Sequence, residues 1–213
     1  MKRCISLIIQ VLAVWVACLP LGYSRAQGTF DTLTITFDEL PFTVGYQLLR
    51  EYHESGVWFR TDPPETQFEI WMSREAFGST NISTYLRSPP GGALLFDFTG
   101  GASFDLVSVD LAEYGGGMGN PATVGFAGHR QDGSVVTTEF TTDGIVGSPL
   151  PDFETFHFGP EFSGLSYVEI LHQPPFTSYS LDNVVVLVPE PATSALFLVG
   201  MFLFLARQFP RDE

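Results

Sequence analysis

Apolar and polar residues alternate singly along most of this chain. In Leu33-Thr34-Ile35-Thr36-Phe37 every second side chain is apolar, which on an extended backbone puts Leu33, Ile35 and Phe37 on one face. Runs of the same kind follow at 56–60, 67–72, 93–98, 103–112, 122–129, 134–141, 153–158, 165–172 and 181–188. Turn formers stand between them: Pro63-Pro64, Pro89-Pro90-Gly91-Gly92, Gly100-Gly101, Asp132-Gly133, Asp143-Gly144, Gly159-Pro160 and Pro174-Pro175. About ten strands punctuated in this way, with almost no helical periodicity, predict an all-β fold, a single jelly-roll-like β-sandwich. Only 46–54 reads as a weak helical turn. No repeat with a period of twenty to fifty residues is visible, which disfavours solenoids and propellers.

One run changes phase. Within 103–112 the apolar set begins with Phe104 and Leu106 and continues with Val107, Val109 and Leu111, so the inward face shifts by one residue at Leu106-Val107. Either a β-bulge lies there or the strand is buried on both faces.

The two ends depart from alternation. Met1-Lys2-Arg3 precedes an almost wholly apolar stretch, and Ser24-Arg25-Ala26 places small residues where a signal peptidase cuts, so 1–26 reads as a secretory signal peptide. Val16-Ala17-Cys18 partly matches a lipobox, although Trp15 fits it poorly. Both cysteines, Cys4 and Cys18, lie inside this peptide, which leaves the mature chain without a thiol. At the other end Val188-Pro189-Glu190-Pro191 leads into an apolar segment, 192–206, followed by Arg207 and Arg211. The prolines block regular structure through Glu190. The apolar segment would be roughly 22 Å long as a helix, enough to span a bilayer only marginally, and the trailing cations favour a cytoplasmic end.

This tail, 188–213, resembles a PEP-CTERM sorting signal: a Pro-Glu-Pro motif, a hydrophobic helix and a short basic end. It departs from the family pattern in ending Arg207-Gln208-Phe209-Pro210-Arg211-Asp212-Glu213, two acids beside two arginines. The resemblance implies recognition by an exosortase, an integral-membrane cysteine transpeptidase-like enzyme. It implies a protein exported and first held in the inner membrane by its C-terminal helix, with the ectodomain outside the cytoplasm, then delivered to the cell surface or an exopolysaccharide matrix. A plain membrane anchor is the alternative.

Between the two ends, 27–187 has the length of one domain. Residues 27–188 hold five arginines and no lysine against 21 acids, a net of −16, so nucleic acid is not an expected partner. An acidic surface favours solubility and attracts divalent cations.

The body is similar to galactose-binding-like and carbohydrate-binding-module jelly rolls in its phrases Leu33 to Pro41, Gly56-Val57-Trp58-Phe59, Phe104 to Leu111 and Leu181-Asp182-Asn183-Val184. That resemblance implies adjacent first and last strands, with a structural calcium at their junction. Asp38, Glu39 and Asp182, with Asn183, are the candidate ligands, hard oxygens of the kind calcium takes. The alternative is ordinary turn and backbone capping by the same side chains. No other cofactor is expected.

Sugar binding calls for aromatic faces beside planar polar groups. Trp71, Tyr85, Tyr114 and Tyr179 are the aromatic candidates, with Asn120, Arg74, Arg87 and Gln173 as hydrogen-bonding partners, and an extracellular polysaccharide is the expected ligand. Each of these rings has a core reading beside the contact reading, because aromatics make up 14% of the chain. Enzymatic signatures are missing: no Gly-x-Ser-x-Gly occurs, and His53, His129, His157 and His172 lack metal-pair spacing. Asp152 and Glu154, two apart on a strand, are the carboxylate pair that a polysaccharide hydrolase or lyase would use. The expected ectodomain is non-catalytic.

Overall fold

The computed structural model describes residues 30–40, 45–71, 83–88, 91–113, 120–147, 150–172 and 178–189. The strands are β1 (Phe30–Ile35), β2 (Tyr46–Leu49), β3 (Glu51–Glu54), β4 (Val57–Asp62), β5 (Phe68–Trp71), β6 (Tyr85–Arg87), β7 (Ala93–Phe98) and β8 (Asp105–Glu113). They continue with β9 (Thr123–Arg130), β10 (Val135–Thr141), β11 (Val146–Gly147), β12 (Leu150–Pro151), β13 (Glu154–His157), β14 (Leu165–His172) and β15 (Tyr179–Pro189). A single 3-10 turn, Pro160–Phe162, is the one helical element among the described residues.

Two antiparallel sheets form a sandwich. One has seven strands in the order β13-β8-β15-β6-β5-β2, with β1 also paired to β15; the other runs β10-β9-β14-β7-β4-β3. From β6 to β15 the chain steps back and forth between the sheets, the jelly-roll-like connectivity that the strand count suggested. One core lies between them. Ile70, Leu86 and Leu111 from the first sheet and Phe59, Phe96 and Phe126 from the second are essentially inaccessible. Phe37 meets Phe59 with ring centroids 5.3 Å apart, and Phe96 meets Phe104 at 5.7 Å. Each such ring contributes about 1.5–3 kcal/mol relative to exposure.

The phase change in β8 is a bulge. Leu106 faces Val186 and Ser108 faces Val185, so Val107 is the extra residue on β8. A second irregularity answers it on β15, where Asp110 faces Asp182 but Ser108 faces Val185. Asn183 takes up that slack with φ of +44°, a left-handed conformation that Asn tolerates. Beyond the bulge the odd-numbered residues of β8 point inward: Val109, Leu111 and finally Glu113, all buried.

Residues 46–54 form strands instead of a helical turn. β2 joins the seven-stranded sheet beside β5, and β3 joins the other sheet beside β4. Tyr52 and Glu54 turn inward while Glu51 and His53 stay exposed, so sheet pairing overrides a weak local helical preference. The first and last strands pair from Phe30 opposite Pro189 to Ile35 opposite Val184. β15 therefore runs two residues past 187, through Val188 and Pro189, before the remainder of the motif. The predicted signal peptide 1–26, Glu190, Pro191, the apolar segment 192–206, Arg207 and Arg211 lie outside the described residues. No helix among the described residues is long and apolar enough to cross a membrane.

Candidate functional site

Strand β4 carries the alternation most clearly. Val57, Phe59 and Thr61 are buried, which sends Trp58 and Arg60 to the outer face of the six-stranded sheet. Strand register then extends that position sideways. His53 lies opposite Trp58, Trp58 opposite Asp97, Asp97 opposite Tyr167, and Tyr167 opposite His129. Residues directly opposite one another share a face, so these five form one row, about 19 Å long at a strand spacing of ~4.8 Å. Alongside it runs a second row, Glu51, Arg60, Leu95, Glu169 and Ala127.

The rows are held together by stacking and charge. His53 stacks on Trp58 with centroids 5.4 Å apart and planes 11° from parallel, and His129 stacks on Tyr167 at 4.1 Å and 9°. The Arg60 guanidinium carbon sits 4.6 Å from the centre of the Trp58 ring, while the same guanidinium donates to Asp97. His129 Nε2 lies 3.6 Å from Glu169 Oε2. These carboxylates stand beside cationic or titratable partners, and the rings and side chains are partly exposed.

A cleft of about 320 Å³ opens beside Trp58, bounded by Asp97, Phe98, Thr99, Gly100, Gly101 and Ser166. Its far wall is the turn after β7, where Gly100 and Gly101 take φ of +91° and +73°, open to glycine without strain. The indole N–H of Trp58 is buried and meets no acceptor among the described residues. The arrangement offers stacking surfaces and planar polar groups along an extended line.

The aromatic residues picked from sequence are placed differently. Tyr85 and Tyr179 are 3% and 1% exposed, so neither is a contact surface; Tyr179 belongs to the core between the sheets, and Tyr85 is covered on the outer side of its sheet. Tyr85 packs edge-on against Phe153, and burial raises the Tyr179 hydroxyl above its ordinary range. Trp71 does reach the outer face, at the edge of the seven-stranded sheet, stacked on Tyr46 at 5.0 Å. Its N–H donates to Glu69 Oε2 at 2.7 Å, and the same oxygen accepts from Arg87 at 2.7 Å. Asn120 is exposed; Tyr114, Arg74 and Gln173 lie outside the described residues. Trp58 and Tyr167 were missed. Their signal was present, since each occupies the polar phase of an alternating strand, but only register brings them into one row.

The acids from sequence are also accounted for. Asp38 Oδ1 accepts the Thr84 N–H at 3.2 Å, and Asp182 accepts from the Ser83 hydroxyl and from the Asn183 N–H. Burial, followed by the charges of Asp110 and Asp38, pushes the Asp182 carboxyl up to about 7. Glu39 lies close enough to act on Tyr52, whose hydroxyl is raised first by burial and then by Glu54. Asp152 and Glu154 do not stand as an isolated pair: Glu154 feels Asp143 and Glu113 as well as Asp152.

No protein-family model matches the chain, and no curated protein does. Among solved structures it is similar to the CBM22-1 xylan-binding domain of Paenibacillus barcinonensis Xyn10C, at 12% identity and a TM-score of 0.40, over 78% of this chain and 100% of that one. It is similar to the K1 cleaved adhesin domain of Lys-gingipain from Porphyromonas gingivalis W83, at 13% identity and 0.43, over 73% and 97%. It is also similar to an exo-beta-agarase, at 10% identity and 0.41, over 75% of this chain, which spans only 25% of the agarase.

Proposed function

We propose that the sandwich is a non-catalytic ectodomain that binds polysaccharide along the outer face of its six-stranded sheet, on an exported protein sorted through its PEP-CTERM-like tail by an exosortase to the cell surface or extracellular matrix. The observation that supports the ligand is the in-register row His53, Trp58, Asp97, Tyr167 and His129 beside the Trp58 cleft. Sugar rings present apolar C–H faces to aromatic side chains and hydroxyls to planar polar groups, and a polymer extends such contacts along a line. The tail supports the destination.

Affinity electrophoresis of the full chain against a panel of soluble polysaccharides tests the ligand. Trp58→Ala is expected to weaken retention about tenfold, the effect of losing one ring contact. Trp71→Ala is expected to leave retention within twofold. Retention lost in Trp71→Ala and kept in Trp58→Ala would move the contact to the Tyr46–Trp71 edge. New reducing ends appearing in the polysaccharide would favour the alternative, a polysaccharide-active hydrolase or lyase. Sorting is tested in the host by Pro189→Ala with Pro191→Ala, for which uncut, undelivered protein is the expected result.

A further inference from the structure

Beyond the bulge in β8, inward positions belong to the core, yet the last of them is Glu113, 1% exposed. Glu154 enters the same inward face from the neighbouring strand, because it lies opposite Leu111, which is wholly buried. Two core-facing positions at one end of the sandwich therefore carry carboxylates. A third arrives from the segment after β10. Thr142 fixes that segment to the start of β9, its N–H donating to Ala122 O at 3.0 Å and its hydroxyl accepting the Ala122 N–H at 2.9 Å. Gly144 follows with φ of +80°, where an added Cβ would stand 2.8 Å from Pro121, so the chain can pass only as glycine. This threads Asp143 in beside the two glutamates. One oxygen from each of Glu113, Asp143 and Glu154 lies within 4.8 Å of the others.

The hydrogen bonds present do not balance this charge. Glu113 Oε1 accepts the Gly144 N–H at 2.6 Å, and Glu154 Oε1 accepts the Asp143 N–H at 2.8 Å. Glu113 Oε2 is buried with no partner among the described residues, and so is Asp152 Oδ1. The ion pairs among the described residues join Arg60 to Asp97, Arg87 to Glu69 and His129 to Glu169, and none involves Glu113, Asp143, Asp152 or Glu154. A buried carboxylate oxygen without donor or counter-ion is costly, and a second and third carboxylate beside it raise the cost.

We infer that Glu113, Asp143 and Glu154 bind a divalent cation, calcium by its chemistry, which links the end of β8 to the start of β13 and to the segment after β10. Oxygens bound to one calcium at ~2.3–2.6 Å stand at most about 5 Å apart, which matches the spacing here. Calcium accepts irregular arrangements of six to eight oxygens, whereas magnesium demands a near-ideal octahedron and keeps most of its waters. Glu113 would supply the dry inner ligand, and the exposed Asp143 the side open to solvent.

The test is thermal unfolding of the full chain, first stripped with EDTA, then titrated with calcium chloride and separately with magnesium chloride at pH 7.5. Calcium at 1 mM is expected to raise Tm by about 4–8 °C, with magnesium giving less than half of that. Calorimetric titration should give one calcium per chain. Glu113→Gln is expected to abolish the shift. Should Glu113→Gln fail to fold, Asp143→Asn, at an exposed position, should reduce the apparent affinity at least tenfold. No shift and no heat with calcium in the wild type would overturn the inference. A shift kept in both variants and lost in Asp182→Asn would overturn it as well, placing the ion at the junction of the first and last strands.

Discussion

Among the described residues two glutamates are buried, and their surroundings are opposite. Glu54, 4% exposed, faces donors only: Oε1 accepts the Thr36 N–H at 2.9 Å, and Oε2 accepts the Phe37 N–H at 2.8 Å and the Tyr52 hydroxyl at 2.7 Å. It closes the end of β1, where Phe37 turns with φ of +59° and its backbone leaves the ladder. Glu113, 1% exposed, has one backbone donor, an oxygen with no partner among the described residues and two carboxylates beside it. The same side chain at the same depth is a completed structural tie in one place and an uncompensated charge in the other. The difference teaches that burial alone does not define a functional acid; what matters is whether the surrounding donors match the charge.

Asp182 shows a third solution, a proton. It accepts two hydrogen bonds, yet burial and the neighbouring Asp110 and Asp38 hold its carboxyl up at about 7. Asn183 also donates to Asp110 Oδ2 at 2.7 Å, and Thr155 donates to Asp110 Oδ1 at 2.6 Å, so each Asp110 oxygen has a donor.

Glu→Gln at both buried glutamates is the most direct way to break the comparison. Glu54→Gln should cost about 3–4 kcal/mol in urea unfolding, because an amide nitrogen would then oppose one of the two backbone donors that Glu54 satisfies. A loss below ~1 kcal/mol would mean that the donors around Glu54 find other acceptors. The next largest effect concerns Asp182. Its folded pKa lies above the unfolded value of 3.8, so between about pH 4 and 7 the folded state holds a proton that the unfolded state has released. Its contribution is therefore fully favourable below that window and declines as pH rises through it, by up to about 1.4 kcal/mol per pH unit, levelling off above pH 7. Glu154, also raised, chiefly by burial, adds to the decline with the same sign. Asp182→Asn should flatten most of it, and an unchanged pH profile in that variant would remove Asp182 from the account. The smallest effect has the opposite direction. In EDTA, Glu113→Gln should gain about 1 kcal/mol, since it removes a buried anion and offers an amide donor to its acidic neighbours. A loss there would place Glu113 with Glu54, as a carboxylate already balanced.

Much of the fold was legible because alternation is a local property. The run at 93–98 became β7 and that at 165–172 became β14 with the same bounds, and the phase change at Leu106-Val107 became a bulge. Residues 46–54 were misread because a nine-residue stretch that changes sheets at Arg50 has no sustained period of its own. Tyr85 shows the other limit. It sits opposite Trp71 in register, a position on the outer face, and is buried all the same because Phe153 covers it from a segment far along the chain. No local pattern records that cover.

The sequence by itself determined most of the strands, the two-faced character of most of them and the single core, because each rests on residues within a few positions of one another. Only the tertiary structure decided which outward residues stand side by side and which acids meet. Trp58 and Tyr167 are more than a hundred residues apart, and they share a row because β4 and β14 both pair with β7 through Asp97. Glu113, Asp143 and Glu154 come from three elements, and a one-residue bulge at Val107 sets the phase that turns Glu113 inward. Charge is written in the sequence residue by residue, but whether a charge is matched depends on neighbours supplied by register, bulges and crossings between sheets, and those are properties of the whole folded chain.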